Sequence, residues 1–378
     1  MKVYLDNNAT TRVDTDVITV MQPYLHEQYG NPNSTHREGQ IARTAVDEAR
    51  ERLALYLHAS PVEILFTSSA TESNNWALKG VAEAMINKGR HIIISAVEHS
   101  SIVKSAEHLR RLGWDITTIP VGIDGHVQTD AVVAAMRDDT VLVSIQYANS
   151  ETGAIMPVRD IGKICRKREI IFHTDATQAF QYLDANVLAL HVDLLTCAAH
   201  KIYGPKATAC LYIRKGTPIV PLIDGGQQEF DLRAGTENVP FIAGFGEAIK
   251  ILEKNRDFWY EGTKKLRDIF ENTLLNKIDG LIVNSKEPRL PNISNISFAG
   301  ISADTFLARL DMEGIYASAG AACTSGSIQA SSVLAAMGLP DTEAQSSIRF
   351  SFSHENTEEE VAYATEKIIA ITSLLRNL

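Results

Sequence analysis

Apolar positions recur along the chain with two alternating periods. Between residues 41 and 57, Ala45, Val46, Ala49, Leu53 and Leu57 fall at helical spacing with Arg and Glu between them, which predicts an amphipathic helix. A short apolar run then predicts a buried strand over 63–67, and 72–87 returns to the helical period. Further strands are expected over 91–95, 115–119, 141–147, 169–173, 193–197 and 208–213, with helical patterns at 101–112 and 161–167. Strands separated by helices need crossover connections, so the expected class is α/β with a mostly parallel sheet covered on both faces. After about residue 255 the rhythm changes. A charged helix over 257–276 leads to period-two alternation at 292–298, a helix over 303–312, a loop of small residues, a strand over 348–352 and a helix from 358. This predicts a smaller α+β unit.

Composition narrows the picture. A chain of 378 residues exceeds what one core usually organises, so two domains are expected. With 45% hydrophobic and 22% charged residues it reads as folded, not disordered. A formal charge of −10 without a basic run argues against nucleic acid or an anionic membrane as partner. No apolar run approaches the roughly 20 residues of a membrane helix, and the first residues lack a signal-peptide pattern. The four cysteines, Cys165, Cys197, Cys210 and Cys323, have neither C-x-x-C nor zinc-finger spacing. The expectation is a cytoplasmic protein in a reducing compartment, with no metal site.

Candidate chemistry lies at the ends of the predicted strands. Lys201 follows an apolar strand; it reads either as a lysine reaching solvent or as one suited to Schiff-base formation. Asp175 sits at the C-terminal end of another strand, where open α/β sheets bind ligands. It reads as a helix cap or as the anion that keeps the nitrogen of a pyridoxal ring protonated, with Gln178 beside the ring oxygen. His173 and Asp175 as metal ligands lack convergent partners. The stretch FTSSATESNN at 66–75 runs from strand to helix through hydroxyl residues, either plain caps or a phosphate cradle. His99 precedes a helix and reads either as a cap or surface residue or as a catalytic histidine that stacks on a planar cofactor and relays protons. Cys323 lies in a loop of Gly, Ala and Ser, which suggests a mobile, exposed nucleophile or a surplus surface thiol, whereas Cys165, Cys197 and Cys210 read as ordinary helix or strand residues. Arg349 inside a strand pattern needs an anionic partner, either a substrate carboxylate or a structural carboxylate.

Together these residues resemble the NifS/IscS-type cysteine desulfurases of the fold-type I pyridoxal phosphate enzymes. The resemblance rests on YLDNNATT at 4–11, YGNPNS at 29–34, TSSATESNN at 67–75, EH at 98–99, NSETG at 149–153 and HTDATQ at 173–178. It continues with HK at 200–201, RAGT at 233–236, ACTS at 322–325 and SIR at 347–349. It implies a large domain (15–255) with a mostly parallel seven-stranded sheet and a small α+β domain (1–14 and 256–378) carrying the Cys323 loop and Arg349. By the same resemblance Lys201 would bind pyridoxal 5'-phosphate covalently, and His99 would stack on the ring. Asp175 would pair with the ring nitrogen, while Asn149 and Gln178 would contact its phenolic oxygen. Ala70, Thr71 and His200 would bind the phosphate, and Thr236 would reach the cofactor of the partner subunit in a homodimer. Arg349, helped by Asn31, would hold the carboxylate of L-cysteine. Cys323, on a loop resembling the long mobile NifS/IscS type, would take the sulfur as a persulfide, leaving L-alanine. The acceptor would be an iron–sulfur scaffold or a thiolation carrier.

The chain departs from the family pattern at several places. Ala198 stands two residues before the His-Lys pair where Ser is usual, Ala207 and Ala209 where glycines are usual, and Ala321 where Ser is common. The segment DGGQQEFD at 224–231 replaces a more glycine-rich stretch. If its turn needs positive φ, Gln227 and Asp231 would strain or reshape it. These changes leave two alternatives open beside desulfuration of cysteine: a lyase for selenocysteine or cysteine sulfinate, and a weakly active scaffold for a sulfur-transfer partner. An aminotransferase would leave the loop cysteine unexplained.

Overall fold

In the computed structural model, which describes residues 1–320 and 331–377, the apolar runs become strands. They are β1 (Val3–Tyr4), β2 (Ile64–Thr67), β3 (His91–Ser95), β4 (Asp115–Ile119), β5 (Thr140–Ser144), β6 (Ile171–Asp175), β7 (Leu194–Ala198), β8 (Ala209–Ile213), β9 (Leu281–Val283), β10 (Ile293–Phe298), β11 (Ile315–Tyr316) and β12 (Ser347–Ser351). A seven-stranded sheet has the order β2-β8-β7-β6-β5-β3-β4. Its pairs are parallel except where β8 lies antiparallel between β2 and β7.

Every residue of β3, β5, β6 and β7 is buried, as expected for strands covered on both faces. The two-residue period sorts them between two cores. Ile93, Val143, Phe172 and Cys197 join a cluster with Leu53 and Phe245; Ile92, Ile94, Leu194 and Leu211 join one with Trp76 and Leu109. Cys165, Cys197 and Cys210 are buried and free.

A further core gathers Val3, Leu5, Phe270, Phe298, Phe306, Phe350 and Phe352. It lies on a separate antiparallel sheet of order β12-β10-β9, and β1 runs parallel to β11 beside it. The chain's beginning thus packs with its last third.

Two differences from the sequence reading have physical causes. The charged helix expected over 257–276 is the second half of a 37-residue helix, Val239–Leu275. Its first half contains Gly244 and Gly246, which look like breakers but are packing sites. A Cβ on Gly246 would sit 2.8 Å from the Ala49 Cβ, and one on Gly244 2.7 Å from the Met21 side chain. Glycine lets this helix approach helices Thr15–His26 and Arg37–Leu57 closely. The strand expected over 169–173 starts at Ile171 instead, because Glu169 adopts φ 55° and closes the preceding helix, Val158–Lys167. The shift makes Asp175 the last residue of β6.

Candidate active site

The sheet order explains why residues far apart in sequence can meet. Strands β7, β6, β5 and β3 lie side by side, and their C-terminal ends lead respectively to Lys201, Asp175, Asn149 and His99. The edge strand β2 leads through Ser68 and Ser69 into helix Ala70–Met85.

After β7 the chain makes a short 3-10 turn, Ala199–Lys201, and the half-buried Lys201 amine points back at the N-terminal segment. Its Nζ donates to the carbonyl oxygens of Asn8 and Ala9, the latter at 2.9 Å. Gln178 Nε2 donates to the same Asn8 carbonyl at 3.3 Å, so amine and amide converge on one atom. His200 Nδ1 lies 3.2 Å from Thr10 Oγ1. Burial, with Lys201 and Lys206 nearby, pushes the His200 imidazole down to about 4, so it is neutral at pH 7.

Asp175 is buried (7% exposed). Its Oδ1 accepts from the Thr177 backbone N–H at 2.9 Å and its Oδ2 from Asn74 Nδ2 at 2.7 Å. Asn74 Nδ2 also donates to Ser101 Oγ at 2.9 Å, and Ser101 Oγ lies 2.8 Å from His99 Nδ1. His99 caps helix Ser100–Arg111 by accepting from the Ser101 backbone N–H. His173 spends both ring nitrogens on the hydroxyls of Ser144 and Thr196. Burial lowers it to about 4, and it is a neutral tie between strands. Among the described residues no His, Cys, Asp and Glu group could hold a metal.

Asn149 donates from Nδ2 to the Val97 carbonyl at 3.1 Å while its Oδ1 accepts the backbone N–H groups of Glu151 and Thr152. Gln146 Nε2 grips the same Val97 carbonyl at 2.6 Å. Beside them the buried Glu98 takes Ser95 Oγ at 2.5 Å and the Gln146 N–H at 2.9 Å on Oε1, leaving Oε2 without a partner among the described residues. Burial, reinforced by the Asp175 charge, pushes Glu98 up to about 8.

Arg349 stands on β12 opposite Asn295 and is 2% exposed. Its guanidinium pairs with Asp6 at 2.6 Å and donates to the Ser150 carbonyl at 3.1 Å, while its Nε is buried and unpaired among the described residues. Asp6 is thus one anionic partner of Arg349.

Ser69 caps helix Ala70–Met85, accepting from the Glu72 N–H at 3.2 Å, and Thr71 is exposed in its first turn. Thr236 is exposed too, in a cleft of about 270 Å³ with Thr67, Ser68, Ala207 and Arg233. Asn31 lies in an exposed loop, where its Oδ1 accepts from the Asn33 N–H at 2.9 Å; no hydrogen bond joins it to the Lys201 cluster among the described residues. Cys323 lies outside the described residues. At the departures noted in the sequence, Ala207 takes φ 59° and Asp231 φ 64°, whereas Gln227 is not left-handed. Glu229 and Phe230 bend the same way, and Glu229 anchors the segment through a bidentate pair with Arg50, 2.8 Å on each arm.

Sequence reasoning gave no role to Asn74, Ser101, Glu98 or Asp6. Asn74, Glu98 and Asp6 stand inside the quoted motifs, but nothing in their spacing says which side chain they touch.

The aminotransferase class-V family profile matches residues 3–363. Cysteine desulfurase IscS of Dictyoglomus turgidum is 44% identical over 378 residues, spanning 100% of this chain and 96% of its own length. Cysteine desulfurase IscS of Methanosarcina thermophila is 42% identical, with 100% and 93% covered. Among solved structures, a NifS-like protein superposes with a TM-score of 0.94 at 40% identity, covering 99% of this chain and 100% of that one. SspA in complex with cysteine superposes at 0.83 and 33% identity, covering 94% and 100%.

Proposed function

The chain belongs to the aminotransferase class-V family, and from that premise we propose that it is a pyridoxal-phosphate-dependent cysteine desulfurase. The single observation that carries the reading is full-length similarity to cysteine desulfurases in a chain whose Lys201 amine and Asp175 carboxylate stand at or just beyond the ends of neighbouring strands of the central sheet, while Arg349, from the smaller sheet, reaches the loop after β5 at Ser150.

The donors present fit the cofactor. Lys201 offers a primary amine, and Asp175 a buried carboxylate at the end of a central strand. Helix Ala70–Met85 opens with a capped turn whose backbone N–H groups suit a phosphate. Lys201 would bind the cofactor covalently, Asp175 its ring nitrogen, and Asn149 and Gln178 its phenolic oxygen. Ala70, Thr71 and His200 would take the phosphate, with His99 stacked on the ring. When bound, pyridoxal phosphate supplies the electron sink that makes the Cα–H and C–S bonds of the substrate breakable.

The chain's own groups do the rest. Arg349, with its buried and unpaired Nε, receives the carboxylate of L-cysteine, and Asn31 assists. Lys201 is the base at Cα. The Cys323 thiolate attacks the substrate sulfur; an S–S bond forms, the C–S bond breaks with its electron pair going to carbon, and a proton completes the methyl group. L-cysteine and an enzyme thiol thereby become L-alanine and an enzyme persulfide, with no external oxidant. The persulfide passes to an acceptor protein, an iron–sulfur scaffold or a thiolation carrier, in the cytoplasm.

Thr236 in its exposed cleft supports a homodimer in which it reaches the partner's cofactor. The separate cores support a large unit of 15–255 and a small one of 1–14 with 256–378, joined through helix Val239–Leu275.

The test is sulfide release from L-cysteine with a thiol reductant, run beside L-selenocysteine and L-cysteine sulfinate. Stoichiometric L-alanine without a keto-acid acceptor is expected, and Cys323→Ala should abolish sulfide release while sparing cofactor absorbance. Undiminished sulfide from that variant would overturn the nucleophile, and turnover of the other substrates alone would overturn the substrate.

A further inference from the structure

The chain of side chains from Asp175 to His99 has a direction, and the direction fixes a proton. Asn74 is fully buried, and the atom facing Asp175 Oδ2 at 2.7 Å is its amide nitrogen, because the carbonyl end would set two acceptors against each other. The same Nδ2 donates its second hydrogen to Ser101 Oγ at 2.9 Å. Ser101 Oγ, already accepting there, is left with its own hydrogen for the next group, His99 Nδ1 at 2.8 Å. The Ser101 backbone N–H, which has no freedom to reverse its role, also donates to Nδ1 at 3.2 Å. Two donors thus meet one ring nitrogen. Through that backbone contact this nitrogen is also the N-cap acceptor of helix Ser100–Arg111.

We propose that Asn74 and Ser101 are positioning residues that hold His99 with Nδ1 bare and its ring proton on Nε2, joining this imidazole to the Asp175 carboxylate. The consequence for the reaction rests on the reading of the site given above. An imidazole wired in this way donates a hydrogen bond from Nε2 and cannot act as a base there, so removal of the Cα proton falls to the Lys201 amine.

The arrangement is tested with full-length protein labelled with 15N-histidine, by long-range 1H–15N spectra of the apo and cofactor-loaded forms. The His99 signals are identified by their loss in His99→Gln. The expected result is Nδ1 at the position of a bare acceptor and Nε2 at that of an N–H nitrogen. Ser101→Ala should move Nδ1 further toward the free-acceptor extreme and lower kcat roughly three- to tenfold, the share of one hydrogen bond. Ser101→Thr, which keeps a hydroxyl, should restore both. A protonated Nδ1 in the wild-type apo and loaded forms overturns the proposal without any variant, and so does an Nδ1 signal indifferent to Ser101→Ala. The apo spectrum does not depend on desulfurase activity. Absent sulfide release with a bare Nδ1 would therefore overturn the functional reading and leave this one standing.

Discussion

Glu98 makes the pH dependence of stability a sharp test of how this pocket is built. Its carboxyl is buried, with one oxygen satisfied by Ser95 and Gln146 and the other unpaired among the described residues, and it holds its proton to about pH 8 in place of the ordinary 4.5. The sign follows from linkage. Between those values the folded chain keeps a proton that the unfolded chain has released, so unfolding frees a proton and rising pH favours it. The stability that the neutral carboxyl contributes is complete below about pH 4.5, falls through the window to about pH 8 and is flat above it. At ~1.36 kcal/mol per pH unit the full window has a ceiling on the order of 4–5 kcal/mol. Glu98→Gln keeps the acceptor for Ser95 and the Gln146 N–H but cannot titrate. Its buried NH2 lacks a partner and adds a cost of about 1–3 kcal/mol that does not vary with pH. Urea unfolding of wild type and variant at fixed protein and cofactor concentration, from pH 5 to 9, should therefore give a difference curve that climbs by several kcal/mol in favour of Gln and levels off near pH 8. His173 and His200 titrate in both proteins and cancel. Parallel curves across pH 5–8 would refute the reasoning, because they would mean that Glu98 is already ionised in the folded chain.

Replacing Lys201 with Ala should abolish covalent cofactor binding, seen as loss of the protein-bound visible absorbance, and cut turnover by about a thousandfold or more while the fold persists by circular dichroism. Arg349→Lys keeps a charge but loses the planar fork and the Nε donor. KM for L-cysteine should rise about 10- to 100-fold with cofactor absorbance unchanged, the size expected of a charge-assisted hydrogen bond. Ala207→Gly should stabilise the chain by about 0.5–1 kcal/mol in urea: relief of the left-handed φ of 59°, at about 1–2 kcal/mol, is partly offset by the greater freedom of glycine when unfolded.

Much of the fold was legible because burial on both faces leaves a strong mark. Runs such as Ile92, Ile93 and Ile94 have no other stable home than a covered strand, and the helix Ala303–Met312 matched its expected bounds. Residues 239–256 were opaque for the opposite reason. Gly244 and Gly246 lower helix propensity, and only the approach of Ala49 and Met21 shows why they are there.

The site divides along the same line. Lys201, Asp175 and His99 announced themselves as ionisable groups at the ends of apolar strands, where chemistry is cheap to infer. Asn74, Ser101 and Asp6 did not, since an amide, a hydroxyl or a carboxylate near a helix start or in a loop has a dozen ordinary uses.

By itself the sequence determined the class of the fold, the periodicities that make its layers, and the kinds of groups available at the strand ends, because each depends on local spacing. Which groups face one another was decided only by the tertiary structure. Strand order sets β7, β6, β5 and β3 side by side, and a contact between Asp175 and Asn74, or Arg349 and Asp6, spans 101 or 343 residues of chain. No local rule fixes a hydrogen-bond direction or a buried proton across that separation; the packed sheet does, by removing water and leaving each donor only the acceptors packed against it.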